Sequence, residues 1–130
     1  MKADTQYVTI GAPKLEVFRY LTDIQHLPTW AAGFCHKLEV RDGTYYVTSP
    51  DGVLVFEMHG DAETGAVDLR FGPGADRLVT FPMRVVAVNA DVSLVTFTAW
   101  QIPGIDDDVF AGQVASIREE LDELKRLVEM

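Results

Sequence analysis

The chain has 130 residues and a formal net charge of −9, with 48% hydrophobic and 24% charged residues. This length suits one domain with a substantial core, and these fractions are ordinary for a globular protein. The acidity and the scattered lysines and arginines argue against nucleic acid as a partner, because phosphate binding needs clustered basic residues. No apolar run is long enough to span a membrane, and the first six residues contain no segment typical of a secretory signal.

The lone cysteine, Cys35, cannot form an internal disulfide, which favours the reducing cytoplasm as the compartment. Cys35 shares its alternation with Lys37 and Glu39, so we expect a thiol at the surface or on the back of a sheet rather than a nucleophile. The histidines, the cysteine and the acidic residues show no metal-ligand spacing. We therefore expect neither a metal site nor a cofactor.

The first predicted elements are a short strand and two short helices. The strand covers Tyr7–Ile10, where β-branched residues alternate with a polar one. Pro13 suits the first turn of a helix that continues to about Leu21. A second helical turn is predicted over Ile24–Leu27 and is expected to end at Pro28.

The apolar period then changes from helical to two, and turn signals recur at the spacing of an antiparallel meander. Asp42-Gly43 predicts a tight hairpin, because both positions tolerate a positive φ. Pro82 cannot donate to a strand ladder, so an edge or a bulge is predicted there. Six strands are predicted at Cys35–Arg41, Thr44–Ser49, Val53–His59, Ala66–Phe71, Arg77–Val88 and Val92–Trp100.

A long helix is predicted over Asp106–Met130, with Asp106, Asp107 and Asp108 as candidates for the N-cap. Six apolar residues recur at spacings of three and four and cover an arc of roughly 80° on one side of this helix. They are Phe110, Val114, Ile117, Leu121, Leu124 and Val128. A coiled-coil seam has the same spacing, but the repeat is shorter than the three or four heptads that would establish one.

The predicted order is one strand, two helices, six strands and a long helix, or β-α-α-β6-α. The apolar face of the strands and the apolar stripe of the last helix hide each other, which predicts an α+β architecture. The sheet, of six to seven strands, is expected to be curved and antiparallel. A straight helix across such a sheet should contact it well at one end and leave a gap at the other. Residues 1–130 are predicted to form a single domain.

This order resembles the START/SRPBCC superfamily, the helix-grip fold, and its polyketide cyclase/dehydrase-like branch in particular. The likeness covers nearly the whole chain, and a short set of positions carries it: Val8-Thr9-Ile10, Ala12-Pro13, Val17-Phe18, Leu21, Asp23, Trp30 and the ending Leu121-x-x-Leu124-Lys125. The resemblance implies a START/SRPBCC-like domain with a cavity between helix and sheet. The superfamily includes lipid and hormone binders, aromatic polyketide cyclases, quinone-binding proteins and chaperone regulators. No short catalytic signature is shared among them, so the resemblance transfers no catalytic residue.

A cavity of this kind would be lined by inward-facing strand residues and by the adjoining side of the last helix. The strand candidates are mostly aromatic residues and methionines, which suit an apolar pocket of variable shape. The candidate ligand-binding residues are Trp30, Phe34, His36, Tyr45, Phe56, Met58, Leu69, Phe71, Phe81, Met83, Phe97, Phe110, Gln113, Val114 and Ile117. The alternative is that the same residues simply fill the core.

Two of these residues, His36 and Tyr45, are also the candidates for catalysis. His36 shares its parity with Leu38, which predicts an inward imidazole that can hydrogen-bond a carbonyl or act as a base. The alternative is a core histidine bonded to a backbone or hydroxyl group, or a residue at the rim where the strand starts. Tyr45 offers a phenol to a ligand, or only packs.

Three functions remain open from the sequence. The first is a soluble cytoplasmic protein that binds a small hydrophobic molecule between the helix and the sheet. The second is a polyketide cyclase/dehydrase-like enzyme that positions an aromatic or polyketide-like substrate. The third is a protein-interaction module without a ligand, which uses an exposed apolar surface or a sheet edge. The sequence also leaves a homodimer open.

Overall fold

The computed structural model describes residues 1–130 and contains one seven-stranded antiparallel sheet and three α-helices. The strands are β1 Ala3–Ile10, β2 Lys37–Arg41, β3 Thr44–Ser49, β4 Gly52–Asp61, β5 Ala66–Gly72, β6 Val79–Ala87 and β7 Ser93–Trp100. The helices are α1 Lys14–Thr22, α2 Leu27–Trp30 and α3 Asp107–Val128, and a 3₁₀ turn at Ile24–His26 precedes α2. The predicted α+β helix-grip fold is confirmed.

The sheet has the strand order β1-β7-β6-β5-β4-β3-β2. Strands β2 to β7 therefore form a meander in which each strand pairs with the next one along the chain. The first strand crosses back to pair with the last, from Ala3 opposite Trp100 to Ile10 opposite Ser93. This long ladder is the reason that β1 begins four residues before the predicted start at Tyr7, where no hydrophobic alternation signals a strand.

The predicted hairpin between β2 and β3 is present, with Arg41 opposite Thr44. Asp42 and Gly43 both have a positive φ, 50° and 80°. Such angles match the twist of the flanking strands and cost least for glycine and for short polar residues. The expected stop at Pro28 is wrong, because Pro28 lies in the first turn of α2, where a missing N–H leaves no bond unmade.

Pro82 lies on an interior strand, at the point where that strand separates from its neighbour. It is opposite Asp68 on β5, whereas the pairing of β6 with β7 begins only at Met83 opposite Phe97. A proline is tolerated here because no hydrogen bond from its backbone nitrogen to β7 is required. The separation creates an opening between the beginning of β6 and the end of β7.

The strand register brings the predicted inward residues onto one face of the sheet. Tyr45, Phe56 and Phe71 lie opposite one another on β3, β4 and β5. Met58 and Leu69 are likewise opposite each other, and Leu69 is opposite Phe81 on β6. Because paired residues share a face, the alternation in the sequence places all of these side chains on the side that α3 covers.

The C-terminal half of α3 is held tightly against β1. Leu121 and Leu124 have no exposed surface. The Lys125 ammonium donates to the carbonyl of Thr9 at 2.9 Å, and a Glu129 carboxylate oxygen accepts from the N–H of Gly11 at 2.7 Å. Apolar burial and polar contacts therefore fix this end of the helix together.

The N-terminal end of α3 is anchored by its cap and by one ion pair. The Asp106 carboxylate accepts from the N–H of Val109 at 2.8 Å, as the N-cap prediction requires. Lys2 forms an ion pair with Asp107 at 2.9 Å. Both ends of the helix are thus tied to β1 and its neighbourhood, and the space beneath α3 depends on the sheet. None of the helices is both long enough and apolar enough to cross a membrane.

Candidate functional site

A cavity of about 490 Å³ lies between the N-terminal half of α3 and the sheet. Cavities that hold small molecules typically measure roughly 300–1,000 Å³. Sixteen of its 27 lining residues are hydrophobic. The gap predicted beneath one end of the helix is therefore large enough for a small organic molecule.

Three parts of the chain enclose this space. Leu69, Phe81 and Ala99 on β5, β6 and β7 form the floor. The roof is the side of α3 that carries Gly112 and Ile117. The remaining wall combines α2 and the turn after it with the loops at the strand ends, and its residues are Leu27, Trp30, Ala31, Gly33, Phe34, Ser49, Pro50, Asp51, Gly72, Pro73, Arg77, Ile102 and Ile105.

Stacked aromatic rings form one side of the cavity. The rings of Phe71 and Phe81 are stacked with centroids 4.3 Å apart, and Phe34 lies 4.7 Å from Phe71 in a tilted arrangement. These geometries are the favourable ones for aromatic pairs. The cluster therefore gives the cavity a rigid apolar surface suited to a flat or hydrocarbon molecule.

Trp100 stands at the opening between β6 and β7. Its indole N–H donates to the carbonyl of Thr80 at 2.6 Å, which joins the two strands where their ladder is interrupted. Trp100 and Val79 both line the cavity. The ring thus closes part of the gap that follows from Pro82.

Three polar side chains on α3 also line the cavity: Gln113, Ser116 and Glu120. Their spacing of three and four residues places them on one side of the helix. The Ser116 hydroxyl donates to a Glu120 carboxylate oxygen at 3.5 Å, which is a long bond. The cavity is therefore apolar for most of its surface and polar along one line of its roof.

Glu120 is the most perturbed acid in the cavity. Burial raises the pKa of its carboxyl from 4.5 to about 7, the Ser116 hydroxyl opposes that rise, and the neighbouring charge of Glu119 adds to it. Near neutral pH the group exists in both protonation states, so it can donate or accept a hydrogen bond. Such a group inside a cavity is a candidate for ligand recognition or proton transfer.

The turn after α2 approaches α3 closely beside this carboxyl. A Cβ atom on Gly33 would lie 2.9 Å from the Ser116 hydroxyl, so the glycine permits the close contact. Cys35 follows in the same turn and is buried. The surface or sheet-back position predicted for Cys35 is wrong, because β2 begins only at Lys37 and strand alternation does not extend to residue 35.

The Cys35 thiol is protonated and unreactive in this position. Burial raises its pKa to about 11; an adjacent backbone N–H, that of Lys37, partly opposes this rise, and the charge of Glu120 adds to it. A protonated buried thiol is a poor nucleophile. The indole N–H of Trp30, which lines the cavity, is buried without an acceptor in the protein.

Eight of the fifteen predicted site residues line the cavity. They are Trp30, Phe34, Leu69, Phe71, Phe81, Phe97, Gln113 and Ile117. These residues come from the strands beneath the N-terminal half of α3, from the helix itself and from the segment around α2. Contact with a ligand at these positions stays a prediction.

Five predicted residues lie outside the cavity wall: Phe56, Met83 and Phe110 are in the buried core, and Met58 and Val114 pack partly buried against it. The inward face of the sheet is longer than the cavity, and α1 covers part of it. A Cβ atom on Gly60, for example, would lie 3.0 Å from the ring of Phe18 on α1. Alternation therefore identified the correct face but could not separate its filled part from its hollow part.

The inward position predicted for His36 is wrong. His36 is exposed and does not line the cavity. It precedes the first residue of β2, so its side chain does not follow the alternation of Leu38, and the rim alternative describes it better. Tyr45 lies on the inward face and packs partly buried against the core, but it is not in the cavity wall.

Sequence reasoning missed Ser116 and Glu120, the polar partners of Gln113. The signal was present, since both residues follow Gln113 at helical spacing. It missed Trp100, Ile102 and Ile105 as well, which belong to the end of β7 and the connection to α3. Large apolar residues in a connecting segment are the cue that this segment closes a cavity. No group of three or more histidine, cysteine or acidic side chains is arranged as a metal site.

No protein-family profile and no curated protein sequence matches the chain. Solved structures do match it over nearly its full length. The Zhui aromatase/cyclase from a Streptomyces species is 15% identical, with a TM-score of 0.75 over 98% of this chain and 93% of that one. The chain has the helix-grip fold.

Two further helix-grip structures show how varied these neighbours are. The Aha1 dimer from Colwellia psychrerythraea is 16% identical, with a TM-score of 0.75 over 100% of this chain and 98% of that one. A START superfamily protein from Mycobacterium smegmatis is 13% identical, with a TM-score of 0.68 over 98% and 97% of the two chains. At these identities the comparisons show a shared fold. They do not show a shared ligand or activity.

Proposed function

We propose that this protein binds a small, mostly apolar molecule in the cavity beneath the N-terminal half of α3. The observation that carries the proposal is the cavity of about 490 Å³ with a predominantly hydrophobic lining. The aromatic cluster around Phe71 supplies surface for stacking, and the polar line on α3 orients the ligand.

The test fills the cavity from two opposite sides. Ala99→Phe adds a ring to the floor, where Ala99 is buried and lines the cavity. Gly112→Phe adds a ring to the roof, where a Cβ atom meets nothing within 4 Å. The matched controls are Thr98→Phe and Ala115→Phe, which carry the same substitution on the same elements at positions outside the cavity wall.

Binding is measured by fluorescence titration with the neutral apolar probe N-phenyl-1-naphthylamine. We expect the wild type and both controls to bind it with similar affinity and the two cavity variants to bind it at least about tenfold more weakly. Equal binding by all five proteins would place the probe on the surface and overturn the proposal. Denaturation in urea identifies any variant that fails to fold. If one cavity variant does not fold, the probe affinity of the other cavity variant tests the proposal.

The natural ligand can be sought by native mass spectrometry of the protein purified from its own source. A molecule that co-purifies with the wild type and is lost in Ala99→Phe would identify the occupant. We also expect the chain to work in the cytoplasm, on the basis of its single reduced cysteine. Homodimerisation stays a prediction, to be measured by sedimentation velocity.

An enzyme of the cyclase or dehydrase kind is the second candidate function. The observation in its favour is the convergence of Gln113, Ser116 and Glu120 in the cavity, where Glu120 is a candidate for proton transfer. His36 and Tyr45 do not line the cavity, so they no longer serve as its candidate acid and base. The test incubates the protein with an aryl β-hydroxy thioester, in which loss of the α-proton and the β-hydroxyl gives the unsaturated thioester and water, and follows this loss of water by mass spectrometry. Absence of turnover across pH 5 to 9 would remove this candidate.

A further inference from the structure

Glu120 is an acidic group in the cavity that no basic side chain of the protein neutralises. Its one hydrogen bond comes from the Ser116 hydroxyl, at 3.5 Å. None of the ten ion pairs in the structure includes it. A carboxylate removed from water without a partner is unfavourable, so this position invites a partner from outside the chain.

The ionisable groups coupled electrostatically to Glu120 are also acids. The charge of Glu119 raises the pKa of Glu120, and the charge of Glu120 raises that of the Cys35 thiol. The other ionisable residues of the cavity wall, Asp51 and Arg77, are exposed and lie in connections between strands. Arg77 takes part in no ion pair with Glu120. Glu120 is therefore the one ionisable residue of the cavity wall that is not fully exposed, and no cation of the protein pairs with it.

We propose that the ligand is an apolar molecule with one basic amine, and that its ammonium group binds the Glu120 carboxylate. This inference rests on the proposed function and names the chemical class of the ligand. A charge-assisted hydrogen bond in a mostly apolar cavity is stronger than one between neutral groups. The aromatic wall favours a cation nearby, and the net charge of −9 attracts one.

Amine binding and the ionisation of Glu120 are coupled. An ammonium group stabilises the carboxylate, so binding lowers the pKa of Glu120 from about 7 and releases its proton. The ratio of the affinity for an amine to that for an uncharged ligand should therefore reach its maximum at pH 8. It should shrink at pH 5, where the free protein must lose a proton before the ion pair can form.

The experiment compares three ligands that share one apolar body: 2-naphthylmethylamine, 2-naphthylmethanol and 2-naphthoate. Their affinities are measured by isothermal titration calorimetry with the wild type, Glu120→Gln and the control Glu119→Gln, at pH 5 and 8. In the wild type at pH 8, we expect the amine to bind at least about tenfold more tightly than the alcohol. Glu120→Gln should abolish this preference and Glu119→Gln should keep it. The naphthoate should bind most weakly to the wild type.

The outcomes separate this inference from the function on which it rests. Equal affinities of the amine and the alcohol for the wild type would overturn the amine proposal and leave the cavity proposal in place. Binding of N-phenyl-1-naphthylamine without binding of the amine would do the same. Failure of the neutral probe as well would overturn the cavity proposal itself. If Glu120→Gln does not fold, the pH dependence of the wild-type preference decides, because a preference equal at pH 5 and 8 excludes Glu120 as the partner.

Discussion

The two halves of α3 share one apolar repeat but lie over different surroundings. In the C-terminal half, Leu121 and Leu124 have no exposed surface, and polar side chains fasten the helix to β1. In the N-terminal half, Ile117 borders the cavity and remains partly exposed. The same apolar stripe is therefore packed at Phe110, Leu121 and Leu124 and borders a ligand-sized space at Ile117.

This difference shows how stability and binding are divided along one helix. The packed half holds the helix in place, so the other half need not bury all of its apolar surface. Gln113, Ser116 and Glu120 are tolerated beside the stripe because they border the cavity and not a filled core. The expected consequence is that substitutions at equivalent stripe positions differ in their effect on the free energy of unfolding.

The largest expected effect is at Leu121. Leu121→Ala removes a side chain with no exposed surface and should lower the free energy of unfolding by about 2–5 kcal/mol. The matched substitution Ile117→Ala, at a position that already borders a void, should cost less than about half as much. Urea denaturation monitored by circular dichroism measures both. Equal losses would show that the N-terminal half is as tightly packed as the C-terminal half.

A smaller effect, dependent on pH, is expected for Glu120→Gln. The pKa of Glu120 is raised from 4.5 to about 7 in the folded state, so the folded protein binds more protons than the unfolded chain between these values. Its stabilising contribution is therefore present below pH 4.5 and is lost as the pH rises to about 7. Relative to the wild type, Glu120→Gln should gain stability over this window, on the order of 1–2 kcal/mol after allowance for partial exposure.

The measurement for Glu120→Gln is urea denaturation at pH 4.5, 6 and 8 with wild type and variant side by side. Subtracting the two curves removes the contribution of the other acidic residues, which both proteins share. Glu16→Gln is the control, because Glu16 is exposed on α1, far along the chain from Glu120, and forms no ion pair. A difference between Glu120→Gln and the wild type that does not vary with pH would contradict a raised pKa.

The smallest predicted effect is at Gly112 in the roof of the cavity. A Cβ atom there meets nothing within 4 Å, so Gly112→Ala should improve helix propensity without a clash. The expected gain in the free energy of unfolding is about 0.5–1 kcal/mol. Ala115→Gly, on the same helix and outside the cavity wall, should lose a similar amount. A loss of stability in Gly112→Ala would mean that the roof is in contact with other groups.

Much of the fold could be predicted from local patterns. The Asp42-Gly43 hairpin, the N-cap at Asp106 and the inward parity of Phe71 each depend on residues close together in the chain. Predictions failed where a pattern was extended past the end of an element. His36 and Cys35 were treated as parts of a strand that begins only at Lys37.

The site was predicted less completely because a hollow is not a property of any one segment. The inward face of the sheet contains both Phe56, which is packed in the core, and Phe81, which lines the cavity. Their sequence surroundings are alike, since each lies on an alternating strand. The two residues differ in which part of the chain covers them, and that depends on contacts between distant parts of the chain.

The sequence by itself determined the order of the elements, the face of each strand that is buried and the stripe along α3. These follow from backbone periodicity and turn chemistry, which act over a few residues. Only the tertiary structure decided that Leu121 and Leu124 pack fully while the helix also covers an open space, and that Glu120 lines that space without a basic partner. These features depend on how a rigid helix meets a sheet and on which charges that meeting brings together.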